Sequence, residues 1–399
     1  MHTITDIPEA WRSVKRILAI RLDNLGDMLL MTPALHAIKE SLPGVELSVL
    51  AGPVGAQAAR LNPDVDDVIV YHSPQMDPWG QLPQDPEREF ALIATLRERN
   101  FDAAVIFTSF RQSSLPQAYV CYLAGIPLRL AASIDGCGSL LTTRHRHPEH
   151  LMHEVERALD LVGAVGFRSN QRDLVLQVPP EARRTAEAWL ANACAGAMSR
   201  PLIVIHPGCT MPARTYPWQM YSEVADLATS QLNATVVVSG TQDEHELVEQ
   251  IRNQSRYPLI SAAGALAFPE FTALIAMADL VITNNTGPMH MAAALKTPVI
   301  SLFALTNPPE QWGPWRVPHR QLFYDVPCRI CYQRVCPTDH ACLRRISPEQ
   351  VIAAAAALLG EVWAGMPNPP WRRNSAGALM RRSPDRDHGR KPMQEVDHG

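Results

Sequence analysis

Three stretches of this chain set residues capable of chemistry at the point where an apolar, strand-like run turns into a helix. The first is Leu25-Gly26-Asp27, following the apolar residues 16–20. Gly26 permits a close approach. A carboxylate at Asp27 either meets the helix dipole, worth about 0.3–1 kcal/mol, or acts as a general base, a role that contributes roughly 10²- to 10⁴-fold in rate. The second stretch is His206-Pro207-Gly208-Cys209-Thr210 with Arg214-Thr215-Tyr216-Pro217. Arg214 carries a permanently charged planar fork of donors that suits phosphate oxygens, and a solvated loop arginine is the competing reading. The third runs from Thr283 through Asn284, Asn285, Thr286, Gly287, Pro288 and Met289 to His290. Thr286 stands at the N-cap position and Pro288 in the first turn, so backbone N–H groups point out of the helix start and form an anion site, or else cap an ordinary turn. In a fourth loop, 239–244, Glu244 is placed either to accept hydrogen bonds from a ribose or to serve as a first-turn acid.

The elements that must hold these loops follow from periodicity. Apolar strand runs at 16–20, 47–50, 68–70 and 103–107 alternate with helical patterns at 28–41, 54–61, 87–99, 115–124 and 150–165. This is the grammar of a parallel sheet covered on both faces. It restarts with strands at 202–205, 235–238, 280–282 and 299–303 and helices at 218–231, 244–254, 268–277 and 347–363, the last capped by Ser347. The chain is therefore expected to be α/β, with two Rossmann-like, doubly wound domains facing a central cleft lined by the strand C-termini. The boundaries are 1–178 for the first domain, 179–200 for a linker helix and connection, 201–364 for the second domain, and 365–399 for a proline-rich, disordered tail. A dinucleotide fingerprint would need three spaced glycines after the first strand, and they are missing, which disfavours NAD.

Composition narrows the function classes. In 399 residues, 46% hydrophobic and 19% charged with a formal net charge of −4, nothing suggests a nucleic-acid partner. No apolar run of 18 residues is present to span a bilayer, and the first sixteen residues lack the apolar core of a secretory signal. The expected location is cytoplasmic. The tail's arginines are interspersed with acids, so membrane contact is at most peripheral, at the inner face of the cell membrane.

Taken together, residues 21–27 (Arg-Leu-Asp-Asn-Leu-Gly-Asp) with Thr32-Pro33 and Leu42-Pro43, His206-Pro-Gly208 with Arg214-x-Tyr216-Pro217, and Asn285-Thr-Gly287-Pro-x-His290 with Thr297-Pro298 resemble glycosyltransferase family 9, the ADP-heptose:lipopolysaccharide heptosyltransferases. The resemblance covers about residues 16–360. It implies a GT-B fold with an acceptor-binding first domain and a donor-binding second domain. It also implies an inverting transfer that needs no metal or other cofactor, with ADP-heptose as donor and a lipopolysaccharide core or related glycan or glycolipid as acceptor. Carried over, Asp27 is the catalytic base. Thr210, Arg214, Glu244, Asn285, Thr286, Gly287, Pro288 and His290 bind the donor, and Arg21, Gly26 and His153 lie on the acceptor side. Asn285 and Arg21 depart from the family pattern, which often has Asp and Lys there. The alternatives are another nucleotide sugar, a sugar-nucleotide epimerase, or a non-catalytic nucleotide-sugar or metal-binding module.

Three further features have competing explanations. Asp64-Val65-Asp66 has the spacing of a metal-binding acid pair but sits in an Asn-Pro-Asp turn, which reads as a solvated loop. His153 reads as a helix-capping or surface residue in competition with the acceptor role. Cys328, Cys331, Cys336 and Cys342 place four thiols in fifteen residues, which would suit tetrahedral zinc; reduced thiols without metal are the alternative favoured by the non-standard spacing.

Overall fold

A computed structural model describes residues 7–77, 79–109, 111–195 and 198–365; residues 366–399, within the expected disordered tail, lie outside these. The chain divides into two compact units, Met1–Gln177 and Val178–Gly399.

In the first unit six strands, β1 (Arg16–Arg21), β2 (Glu46–Ala51), β3 (Asp67–Val70), β4 (Ala103–Ile106), β5 (Leu128–Ala132) and β6 (Thr143–His145), lie in the order β3-β2-β1-β4-β5-β6. All pairings are parallel. Residues 17–21 of β1 are all buried, as expected of a strand covered on both faces, where the alternation of exposed and buried residues disappears. The second unit repeats the winding with β7 (Leu202–His206), β8 (Thr235–Gly240), β9 (Ile260–Ala263), β10 (Leu280–Asn284), β11 (Val299–Leu302) and β12 (His319–Leu322), in the order β12-β11-β10-β7-β8-β9. Two such units in one chain are the GT-B architecture. In each, the order reverses between the unit's first and fourth strands, β1 beside β4 and β7 beside β10. Connections leave a switch point in opposite directions, so a crevice opens at the strand C-termini there.

Strands β5, β6, β9 and β12 are absent from the periodicity reading, and they lie toward the sheet edges. Their sequences are broken by polar residues whose needs only the fold satisfies. Arg129 in β5 is buried because its Nε donates to Leu140 O at 2.7 Å and its guanidinium to Ser139 O at 2.9 Å. Arg320 in β12 is buried with its guanidinium 2.6 Å from Glu361 Oε1.

Helix boundaries shift where the sites are. The single helix expected at 28–41 is two, Leu25–Leu30 and Thr32–Ser41, joined at Met31. Pro33 has no N–H to continue the first helix and is suited to the first turn of the second. Asp27 therefore sits inside the first turn of its helix, at the third position. The helix expected at 150–165 is Glu154–Gly163.

The helix Pro348–Ala364 lays Val351, Ile352, Ala355, Leu358 and Leu359 into the core of the second unit. Ser347 Oγ accepts from Gln350 N at 3.3 Å while Gln350 Oε1 accepts from Ser347 N at 2.8 Å, a reciprocal cap. Ser347→Ala is expected to lower stability by about 1 kcal/mol in urea unfolding; no change would show that core packing alone holds this helix start.

Candidate active site

At the switch point of the first unit, Arg21 ends β1 with its guanidinium buried between two carboxylates. Its Nε lies 2.6 Å from Asp23 Oδ2, and one terminal nitrogen donates to Asp27 Oδ1 at 2.9 Å and to Ser109 Oγ at 2.9 Å. Ser109 and Gln112 come from the loop after β4, and Gln112 Nε2 donates to Asp23 Oδ1. The connections leaving β1 and β4 thus meet in one polar cluster. Burial of Arg21 is outweighed by the carboxylates of Asp23, Asp27 and Glu154, which hold it firmly cationic. Burial and the Asp27 charge raise the Asp23 carboxyl above its ordinary range, against the pull of Arg21.

The two acids differ in access. The Asp23 side chain is 5% exposed and that of Asp27 14%, so Asp27 is the carboxylate that can meet a substrate. It also accepts from Asn24 N at 3.3 Å, closing a capping box with Asn24. The dipole contact and the fixed orientation of this carboxylate therefore come from one geometry. Gly26 is buried in the same turn. His153 is the N-cap of Glu154–Gly163, its Nδ1 accepting from Val155 N at 3.2 Å. Asp64 faces His36 (3.0 Å), and Asp66 faces Lys39 (2.8 Å) and accepts from the Leu47 amide (2.7 Å), so Asp66 pins the start of β2 and Asp64 the helix before it.

The switch point of the second unit is organised by a residue to which sequence reasoning assigned no role. Asn284, at the end of β10, is fully buried; its Nδ2 donates to Pro207 O at 2.8 Å, and its Oδ1 accepts from Tyr216 N at 3.1 Å and Tyr221 Oη at 3.0 Å. The 207–217 loop is tied at both ends to β10 by one amide. The next residue, Asn285, is turned inward as well: Nδ2 donates to Ala304 O (3.3 Å) and Asn307 Oδ1 (3.2 Å), and Oδ1 accepts from Ala304 N (3.0 Å). From there the network continues: the Thr306 hydroxyl lies 3.1 Å from Asn307 Oδ1, and Arg214 Nε donates to Thr306 Oγ1 at 3.0 Å. Arg214, on the turn Pro212–Arg214, is thereby linked to the residue just before Thr286 and the helix Gly287–Ala294.

That helix start offers fewer donors than expected. Thr286 occupies the N-cap without a side-chain cap bond. Its own N–H donates to Asn284 O at 2.8 Å, and Met289 N donates to Thr286 O at 3.1 Å. Pro288 has no N–H, so the Gly287 amide at the first helical position is the donor best placed for an anion. His290 is buried in the helix, and Thr210 is exposed in the loop.

Glu244 closes a capping box of its own, its Oε2 accepting from Thr241 N at 2.8 Å. It lies against Gly208, where a Cβ would stand 2.0 Å from Glu244 Oε1. The glycine of His206-Pro207-Gly208 makes room for this acid, a dependence invisible before the loops after β7 and β8 are brought together. Buried His206 faces the same carboxylate at 3.9 Å and Ser239 Oγ at 3.1 Å, and burial keeps its imidazole below the ordinary range.

The cysteine-rich segment backs this loop. Ala213 N donates to Arg334 O at 2.9 Å, His340 Nε2 lies 2.9 Å from Pro212 O, and Tyr332 N donates to Thr306 O at 2.9 Å. Backbone pairings thus brace the turn that carries Arg214 and its partner Thr306. The four thiols are free, and no three of their sulfurs are among the described ligand atoms that converge within 4.8 Å. Burial, together with Cys336 and Cys328, holds the Cys342 thiol up and protonated.

Two parallel, doubly wound units, each with a polar cluster at its switch point, are the architecture of GT-B glycosyltransferases. Residues 89–342 match the model of glycosyltransferase family 9 (heptosyltransferase), and the chain belongs to this family. It is 28% identical over 351 residues to lipopolysaccharide heptosyltransferase 3 of Escherichia coli strain K12, covering 84% of this chain and 96% of the relative. The solved family 9 glycosyl transferase from Veillonella parvula DSM 2008 superposes with a TM-score of 0.71 at 21% identity, covering 87% of this chain and 97% of that one. The E. coli ADP-heptose lipopolysaccharide heptosyltransferase II gives 0.69 at 22% identity, covering 87% and 99%.

Two substitutions test the geometry. Asn284→Asp sets a carboxylate oxygen against Pro207 O in place of a donor, and is expected to lower stability by about 1–3 kcal/mol and to weaken nucleotide binding; parental values in urea unfolding and calorimetric titration with ADP would contradict the knot. Arg21→Met leaves the buried Asp23 and the partly buried Asp27 without their cation, and a loss of about 3–5 kcal/mol is expected; unfolding at the parental midpoint would show that the cluster is not stabilising.

Proposed function

We propose that this glycosyltransferase moves a heptose from ADP-heptose to a lipopolysaccharide core or related glycan acceptor, with inversion at the anomeric carbon and without a required metal. The observation that carries the donor half is the hydrogen-bonded chain from Arg214 through Thr306, Asn307 and Asn285 to the start of the Gly287 helix. It holds a fixed positive charge near a helix N-terminus, the environment a leaving diphosphate requires. The heptose and the lipopolysaccharide acceptor rest on the activities of the relatives.

Asp27 takes the proton from an acceptor hydroxyl, whose oxygen attacks the anomeric carbon as the nucleoside diphosphate leaves. Arg21 and Ser109 hold the carboxylate in place. Arg214 and the Gly287 amide take up charge on the departing diphosphate, and Glu244 accepts from a ribose hydroxyl. Residues 1–178 then form the acceptor domain and 201–364 the donor domain, joined by 179–200. Gly26 shapes the acceptor-side turn, His153 orients the helix beside it, and Thr210, Thr286, Pro288 and His290 line the donor loops. Asn285 acts here through its backbone-pinning amide; an Asp could not donate to Ala304 O and Asn307 Oδ1 as Nδ2 does, so the departure from the family pattern is built into the packing and leaves the donor charge balance to Arg214. Among the described residues no helix is long and apolar enough to cross a membrane. The proposed place of action is the cytoplasmic side, with at most peripheral membrane contact.

Asp27→Asn is expected to lower the transfer rate by about 10²- to 10⁴-fold with donor affinity unchanged, because Asn keeps an acceptor for Arg21. Transfer at the parental rate would remove Asp27 from the role of base. Among ADP-, GDP- and UDP-sugars, the ADP-sugar should give the largest rise in melting temperature; a preference for UDP- or GDP-sugars would overturn the donor assignment.

A further inference from the structure

Outside the proposed transfer machinery, one cluster has the composition of a metal site. His145 ends β6, the edge strand of the first unit. His147 follows two residues on, and Asp160 lies on the Glu154–Gly163 helix. His145 Nε2 is 2.6 Å and His147 Nδ1 2.7 Å from the same oxygen, Asp160 Oδ2. The two rings stand nearly perpendicular, at 85° with centroids 4.9 Å apart, so both nitrogens are directed to one point. The three ligand atoms lie within 4.8 Å of one another, alone among the described residues in forming such a group.

We propose that His145, His147 and Asp160 bind one divalent first-row transition cation of the zinc type. Two imidazoles and a carboxylate are a common donor set for zinc and non-haem iron. A tetrahedral ion with bonds of about 2.0–2.1 Å holds its ligand atoms about 3.3 Å apart, so each nitrogen must retreat from Asp160 by only about 0.6 Å. The side chains are 18%, 12% and 28% exposed. This is buried enough to orient them and open enough to admit an ion and leave a fourth position for water. Opposing it, Arg157 acts on both His147 and Asp160; its Nε, however, lies 3.2 Å from Glu154 Oε1, which offsets that charge. The ion would clasp the edge strand to the helix. His147 also lines a small cavity together with Arg21, Glu154 and Arg157, so the clasp adjoins the Arg21 cluster while the three ligands do not include the acid proposed as base.

The cysteine segment could take up zinc independently, so the test uses the full chain with Cys328, Cys331, Cys336 and Cys342 replaced by Ser, stripped with chelator and titrated with Zn²⁺ and Co²⁺. One equivalent per chain is expected, with a raised melting temperature and a Co²⁺ spectrum free of thiolate charge transfer, and both lost in His145→Ala/His147→Ala and in Asp160→Asn. No uptake by the folded four-serine chain, or uptake unchanged by those substitutions, would reduce the cluster to a hydrogen-bonded clasp. If the four-serine chain does not fold, the same comparison is made on the parental chain with its thiols reversibly blocked, read by X-ray absorption; a shell of nitrogen and oxygen supports the site, and a shell containing sulfur or no bound ion overturns it.

Discussion

The switch point of the second unit depends on a buried primary amide. Asn284 spends its donor on Pro207 O and its acceptor on Tyr216 N and Tyr221 Oη, so the loop after β7 cannot move away from the end of β10 without stranding polar groups in the core. An unpaired buried group costs more than a typical hydrogen bond contributes, so such a knot acts chiefly by making alternatives unfavourable. Tyr216 and Tyr221 pack edge to face at 5.1 Å, and Tyr216 Oη reaches Ile346 O, which ties the same loop to the segment before the last helix. Burial pushes both phenols above their ordinary range, so they stay neutral donors.

The first unit meets the same problem with charge. Arg21 between Asp23 and Asp27 is a desolvated cluster whose geometry must be good for the pairing to offset the cost of burial. Ser109 and Gln112 supply the additional hydrogen bonds that make this possible. The arrangement gives Asp27 one defined orientation while leaving it the more exposed of the two acids. Apolar residues in place of the whole cluster could hold the fold equally well, unlike removal of one partner, and would lose that orientation. In both units the polar residues sit where β1 meets β4 and β7 meets β10, the places where a doubly wound sheet opens a crevice.

The cysteine-rich segment has a part in the fold that its thiols do not reveal. Backbone groups at Arg334 and Tyr332 and the His340 ring meet Ala213, Thr306 and Pro212. Likewise, His145 and His147 attract no notice in the sequence, because their partner is fifteen and thirteen residues away on another element.

By itself the sequence determined the central strands, the doubly wound plan and the loops where chemistry belongs, since runs such as Ile17 to Ile20 and Leu202 to Ile205 are apolar without alternation and Asp27, Arg214 and Asn285 fall just beyond strand ends. These are local signals, set by side-chain type and spacing. It did not disclose β5, β6, β9 and β12, whose Arg129 and Arg320 look like surface residues until distant carbonyls and Glu361 satisfy them. Nor did it disclose that Asn284 is the knot, that Asn285 faces inward, that Gly208 makes room for Glu244, or that the 286–290 turn keeps most of its amides for itself. Each of these depends on which groups meet across loops tens of residues apart, and only the tertiary structure decides how buried hydrogen-bonding capacity is shared among them.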